Sequence, residues 1–290
     1  MLGTRTLRTL KWLLVHMGPR RDITVDTANG RLTFDSKDWL IGKHLYVRRS
    51  YETDQITDAM DWLRKEGWLS DARRNTVVDV GSNVGMIVIC LLRAGYFERA
   101  IACEPAPDSF RLLEHNVRQN GLEGRVSTFR HALSSAEGEL RLELSPDNSG
   151  DHRIRCRNGP GFFDEEKRQT LKVPATTLDR VFESHSGIHP DEVGLIWVDI
   201  EGHEGQFFEG ARRVLSQHIP VVAEVWPYAI ARSGMSLSQF GRILSELFTH
   251  FCLLPSRGRT KQPIGEIEGI FDAFKGPREM CQIVLVKDHS

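Results

Sequence analysis

The stretch Thr76-Val77-Val78-Asp79-Val80-Gly81-Ser82-Asn83-Val84-Gly85 constrains this chain more than any other. Apolar and β-branched residues run into an acid, then a glycine-spaced bend, then the helix-ready run Met86 to Leu92. The pattern predicts a buried parallel strand that ends in a tight loop over a helix N-terminus. Gly81 and Gly85 have no Cβ, so a ligand can lie close to the backbone there. Unpaired N–H groups at the start of the helix favour an anionic group on that ligand. The loop therefore reads as a nucleotide-type site.

Which nucleotide is decided by spacing. A dinucleotide fingerprint requires Gly-x-Gly-x-x-Gly, and counting from Gly81 finds Asn83 and Met86 where the second and third glycines belong. A nicotinamide oxidoreductase is disfavoured on that ground. The acid-x-Gly-x-Gly-x-Gly loop of class I S-adenosylmethionine-dependent methyltransferases fits as Asp79-x-Gly81-x-Asn83-x-Gly85, with asparagine in place of one glycine. Asparagine tolerates the left-handed region better than most residues. Taken alone, the motif also fits an ordinary glycine turn after a core strand.

Bulk properties narrow the partners. A chain of 290 residues can hold one large α/β domain with an extension. Its formal net charge of −1 offers nothing that would draw it to nucleic acid. Five scattered cysteines without close pairing suit a reducing compartment, so a cytoplasmic protein is expected. The apolar run Trp12-Leu13-Leu14-Val15 is too short for a transmembrane segment or a signal-peptide core. Leu7, Leu10 and Leu14 share a helical face opposite Arg5, Arg8 and Lys11. That face is expected to dock on the protein's own body or on a second copy in a homodimer, with weak peripheral membrane contact as the alternative.

Residues 1–70 are expected to form an N-terminal extension of helix, β-hairpin and lid helix. The hairpin is placed at Asn29-Gly30, between Ile23-Thr24-Val25 and Leu32-Thr33-Phe34, and Asp54 is expected to cap the lid helix. From Val77 the chain alternates strand and helix, which predicts an α/β fold with a seven-stranded doubly wound sheet over residues 71–290. Residues 137–180 interrupt that rhythm and read as an insertion. Within it, Arg153, Arg155 and Arg157 are expected to line one side of a strand, either to meet an anionic substrate or as a solvated edge, and Asp164-Glu165-Glu166 reads as loop surface. Ligands in such sheets bind at the carboxyl ends of the strands, where Asp79, Glu104, Asp199 and Glu224 fall. Glu104 follows Asp79 by 25 positions and ends the next strand, where a carboxylate can accept from both hydroxyls of a ribose.

Further segments occur in a telling order: Val77–Gly85, Glu104-Pro105-Ala106-Pro107, Asn116 through Asn120-Gly121, His131-Ala132-Leu133-Ser134, Val173–Asp179, Asp199-Ile200-Glu201-Gly202 and Val222-Ala223-Glu224. Together with Tyr51-Glu52 they make residues 50–226 resemble the FkbM family of S-adenosylmethionine-dependent methyltransferases. The resemblance implies a class I, Rossmann-like fold, S-adenosyl-L-methionine as cofactor, and O-methylation of a hydroxyl on a small molecule, sugar or glycan. It also implies that Glu104 holds ribose, that Gly81, Ser82, Asn83 and Gly85 border the cofactor with Glu52 and Pro105 nearby, and that His131 and Ala132 flank the adenine.

Methylating an alcohol requires in-line approach, exclusion of water and a base. Asp199 is expected to organise cofactor and acceptor, and Glu201 or His203 to take the proton, with His152 in reserve. Glu201 can alternatively cap the following helix. No acidic or histidine cluster has metal-ligand spacing along the sequence, so no metal is expected. Two rival readings are a non-catalytic binder of the same fold and an N-methyltransferase. The first has against it the intact strand-end acids, the second the missing Asn/Asp-Pro-Pro-Tyr motif.

Overall fold

The structure, a computed structural model, describes residues 3–157, 159–184, 187–255 and 259–288. The chain begins with helix α1 (Thr4–Met17), then β1 (Asp22–Thr27) and β2 (Gly30–Asp35), which pair antiparallel with Thr27 opposite Gly30. The turn is therefore Ala28-Asn29, one residue earlier than the Asn-Gly pair suggests. Gly30 opens the second strand instead, with φ at 135° and a Cβ position only 2.8 Å from Ile89. Helices α2 (Ile41–Arg48) and α3 (Thr53–Lys65) complete the extension. The cap of α3 is Glu52, in the left-handed region, and Asp54 sits inside the first turn.

For α1, docking of the Leu7, Leu10 and Leu14 face on the protein's own body is corrected. The helix is held by Trp12, fully buried against Phe34 and Tyr46, while Leu7, Leu10 and Leu14 are 46%, 48% and 69% exposed. No helix among the described residues is long and apolar enough to cross a membrane.

The alternating part follows as β3 (Thr76–Val80), α4 (Met86–Arg93), β4 (Arg99–Cys103), α5 (Pro107–Gln119) and β5 (Val126–Phe129). An excursion into a separate small mixed sheet then uses β6 (Ala132–Leu133), β7 (Gly138–Glu143), β8 (Arg153–Ile154) and β9 (Thr170–Thr176), ordered 6-9-7-8, with β6 parallel to β9 and the other pairs antiparallel. Helix α6 (Leu178–Ser184), β10 (Val193–Val198), α7 (Glu204–Glu209), α8 (Arg212–Leu215) and β11 (Val221–Val225) resume the alternation. The chain closes with α9 (Pro227–Arg232), α10 (Leu237–Leu247), β12 (His250–Leu253), β13 (Gln262–Pro263), α11 (Ile267–Phe271) and β14 (Cys281–Val286).

The main sheet runs β13-β12-β14-β11-β10-β3-β4-β5, with β14 antiparallel between β11 and β12. The seven expected strands are all present. The eighth, β13, is a two-residue addition at the edge, too short to leave a periodic signal. Successive residues of each strand feed opposite cores: Val77 and Trp197 join the layer of α3, α4 and α5, while Val78 and Val198 join that of α6, α7 and α10. Burial on both faces explains why these strands read as largely apolar rather than alternating, with Asp79 set inside β3.

Asn116 of α5 ties the extension to this frame. Its Oδ1 accepts from Thr33 N–H at 2.7 Å, and its Nδ2 donates to Thr33 O at 3.0 Å and to Val84 O at 2.7 Å. One buried amide thus clamps the hairpin, the helix and the glycine loop together.

Candidate active site

The carboxyl ends of β3, β4, β10 and β11 open into a cavity of about 400 Å³. It is lined by Asp79, Gly81, Ser82, Asn83, Glu104, Pro105, His131, Ala132, Asp199, Glu201, His203, His152 and Glu52, so nearly every residue singled out from the sequence meets there. Gly85 is the exception. It turns the chain into α4 with φ at 90°, and its Cβ position faces Leu113 at 2.9 Å, one layer beneath the cavity wall.

Parallel neighbours explain the convergence. Each crossover returns the chain to the same end of the sheet, so residues far apart in sequence leave their strands side by side. Gly81 is demanded by close approach: a Cβ there would lie 1.9 Å from the carbonyl oxygen of Asp199 on the adjacent strand end. Glu104 is fixed by two backbone donors, Asn83 N–H to Oε2 at 2.9 Å and Ala106 N–H to Oε1 at 2.8 Å. A carboxylate has about four acceptor positions, so Glu104 can still receive a vicinal diol while it holds the loop in place.

The Asp199–Gly202 turn is organised by a residue that sequence reading missed. Glu204, fully buried, takes the N–H groups of Ile200 at 3.1 Å and Gly202 at 3.3 Å on one oxygen. The turn needs Glu201 at φ 55° and Gly202 at φ 100°, and a Cβ on Gly202 would sit 2.3 Å from Ala229. It folds Glu201 back over the strand tips. Glu204, rather than Glu201, is the acid that caps the start of this segment.

The two histidines differ from expectation as bases. His152 Nδ1 accepts from Ser145 N–H at 3.1 Å. The neutral ring then carries its proton on Nε2, and such a ring donates toward a ligand rather than taking a proton from it. His203 Nε2 is 2.9 Å from Ser134 Oγ, which occupies one nitrogen of its ring. Burial lowers both rings to about 4, so both are neutral near pH 7.

The carboxylates are shifted the other way. Burial raises Asp79, Glu104 and Glu204 to about 7, and burial with crowding by Asp199 raises Glu201 and Glu224 well above the ordinary range. Groups protonated more readily in the fold than in the unfolded chain stabilise at low pH and lose that contribution as pH rises through their folded values. Histidines with lowered values act oppositely, but only below about 6.5. The melting temperature of the ligand-free protein in EDTA is therefore expected to fall between about pH 6.5 and 8. A flat or rising profile in calorimetric scans across that window would contradict these assignments.

The cover of the cavity comes from segments with no recognisable motif. Asp38 accepts from Ser149 N–H and from the amides of Ile41 and Gly42, and Ser149 Oγ reaches Asn83 Oδ1 at 3.2 Å. Extension, insertion and glycine loop are thereby joined over one rim. Two of the three arginines are spent internally: buried Arg153 pairs with Asp151 and with Glu165 at 3.1 Å, and Arg155 with Glu143 at 3.0 Å. These two form neither a solvated edge nor a free anion site, whereas Arg157 is exposed, and Glu165 is fully buried, not loop surface. Phe163, Trp226, Met280 and Arg278 complete the wall, with the Arg278 guanidinium 5.7 Å from the Phe163 ring centre.

Residues 79–256 match the methyltransferase FkbM domain. Hexuronic acid methyltransferase AglP of Haloferax volcanii is 31% identical over 181 residues, covering 61% of this chain and 65% of that protein. Methyltransferase sdnD of Sordaria araneosa is 25% identical over 170 residues, covering 52% and 66%. The chain thus spans just under two thirds of the length of these curated relatives. Among solved structures, StiE O-MT aligns with a TM-score of 0.43 at 12% identity, over 86% of this chain and 77% of that one. With the domain match extending over more than half of its length, and the strand-end acids and glycine loop gathered at one cavity, this chain belongs to the FkbM methyltransferase family.

Proposed function

We propose that this protein transfers the methyl group of S-adenosylmethionine to a hydroxyl of a uronic-acid sugar carried on a glycan. The observation that carries the reading is the shared cavity: a loop nearly bare of side chains lies beside Glu104, whose open acceptor positions suit ribose hydroxyls. The fit extends to charge, because Asp79 Oδ2 is buried without a hydrogen-bond partner and Asp199 borders the same space. S-adenosylmethionine supplies, when bound, an electrophilic methyl on a sulfonium.

The chain's own groups supply the rest. Glu104 and the Gly81–Asn83 backbone orient the adenosine, with Pro105, His131 and Ala132 along its base. Asp199 and Glu52 complement positive charge. Glu201 takes the proton of the acceptor hydroxyl as that oxygen is methylated; the bound cofactor would supply the methyl carbon and would leave as the neutral thioether. Its raised affinity for protons, caused by burial and by Asp199, makes it a stronger base than an exposed carboxylate. His152 donates from Nε2 to an acceptor oxygen.

The outer wall supports the sugar acid. Phe163 and Trp226, 5.6 Å apart in an edge-on pair with the Arg153 guanidinium over both rings, line the wall with aromatic surface of the kind that packs on sugar C–H groups. Arg278 beside them has the charge to meet a carboxylate. The hexuronic acid in the name of the Haloferax relative points the same way.

The test is transfer of labelled methyl from S-adenosylmethionine to oligosaccharides with and without a uronic acid, located by mass spectrometry. Label is expected on the uronate-bearing acceptor, at a hydroxyl. Arg278→Ala is expected to raise KM for that acceptor about fivefold, equivalent to roughly 1 kcal/mol, with kcat little changed. Transfer confined to neutral sugars, or an unchanged KM, would contradict the assignment.

A further inference from the structure

The sequence offers no metal-ligand spacing, yet the fold assembles one. Val198 of β10 lies opposite Ala223 of β11 in parallel register, so the next residues, Asp199 and Glu224, leave the two strands side by side. The left-handed turn at Glu201 brings a third carboxylate back to the same point. One oxygen from each of Asp199, Glu201 and Glu224 lies within 4.8 Å of the others, at the wall of the cavity.

Three carboxylates this close repel one another unless a proton or a cation joins them. Among the described residues, none of the three forms an ion pair with lysine, arginine or histidine. Arg153, the cation that acts on Glu201, is already paired with Asp151 and Glu165. A second observation is independent of the clustering. Glu224 is 8% exposed and its Oε2 is buried with no hydrogen-bond partner. A buried carboxylate oxygen left unmatched is costly, and here it belongs to a side chain on the cavity wall.

We propose that Asp199, Glu201 and Glu224 bind one divalent cation of the magnesium or manganese type. An all-oxygen donor set of three carboxylates selects hard cations over zinc or copper, and it leaves coordination positions for water or for acceptor hydroxyls. The site's existence follows from this chain's own residues. Its role, which is to hold two neighbouring sugar hydroxyls toward Glu201, rests on the methyl-transfer reading above. A carboxylate has two oxygens, so Glu201 can face the cation with one and the acceptor hydroxyl with the other; the cation lowers the proton affinity of the carboxylate and of the hydroxyl it holds together.

The experiment is a titration of the full chain with Mn2+ in the absence of any acceptor, following the loss of the free-ion electron paramagnetic resonance signal. A parallel calorimetric titration uses S-adenosylhomocysteine. One bound Mn2+ per chain is expected, with affinity weakened at least tenfold by Glu224→Gln and by Asp199→Asn. Magnesium is expected to compete for the same site. Protein that binds S-adenosylhomocysteine but takes up no Mn2+ overturns the cation site and leaves the cofactor reading intact. Mn2+ uptake unchanged in both variants overturns the site as well. Mn2+ uptake lost in the variants, in protein that binds no S-adenosylhomocysteine, supports the site and removes the methyl-transfer reading.

Discussion

Glu201→Gln is expected to lower kcat by about 10²- to 10⁴-fold, the range for loss of a positioned general base, while affinity for S-adenosylhomocysteine stays within about threefold. The physical ground is specific. Glu201 is held in a left-handed conformation that Gly202 and Glu204 stabilise, so the side chain cannot relax toward solvent without breaking the Glu204 contacts to Ile200 and Gly202. Glutamine keeps the shape of the side chain but cannot accept a proton at neutral pH. Rapid-quench turnover with saturating cofactor, alongside calorimetry, separates the two effects. The companion His203→Ala is expected to act mainly on folding, because that ring is engaged by Ser134 and held neutral by burial. Near-normal kcat in Glu201→Gln would move the base elsewhere.

Glu104→Gln is expected to weaken S-adenosylhomocysteine binding about 100-fold, or roughly 3 kcal/mol. Two losses combine. Both Glu104 oxygens accept backbone N–H groups, and a glutamine amide turns one of those acceptors into a donor facing a donor. The same replacement halves what is left for the ribose hydroxyls. Melting of the unliganded variant gives the first contribution separately, and the excess loss in calorimetric affinity gives the second. A dissociation constant within threefold of wild type would remove Glu104 from the ribose.

What was legible in the sequence follows a physical division. Val77–Val80 and Leu195–Val198 are buried on both faces, so their apolar runs announce strands, and an acid at the end of such a run has little reason to be there except a ligand. That is why Asp79, Glu104 and Asp199 were found. Asp38 and Arg153 were not readable, because Ser149 and Glu165 come from distant segments and no spacing encodes those meetings; Glu204 differs, since its partners Ile200 and Gly202 are local and the miss lay in the left-handed turn between them. Glu224 shows the limit most clearly. It was visible as a strand-end acid, but its place beside Glu201 depends on the register of β10 with β11 and on a left-handed turn, neither of which leaves a mark on composition or periodicity. The insertion misled for a related reason: alternating arginines look alike whether they face water or buried carboxylates.

The account stands on adenosine recognition at the strand tips, and the most direct measurement is calorimetric titration of the purified full chain with S-adenosylhomocysteine and, separately, with NAD. Binding of one S-adenosylhomocysteine per chain with a dissociation constant on the order of micromolar, about 8 kcal/mol, and no heat from NAD is the predicted result. Heat from NAD alone, or from neither compound, would contradict it.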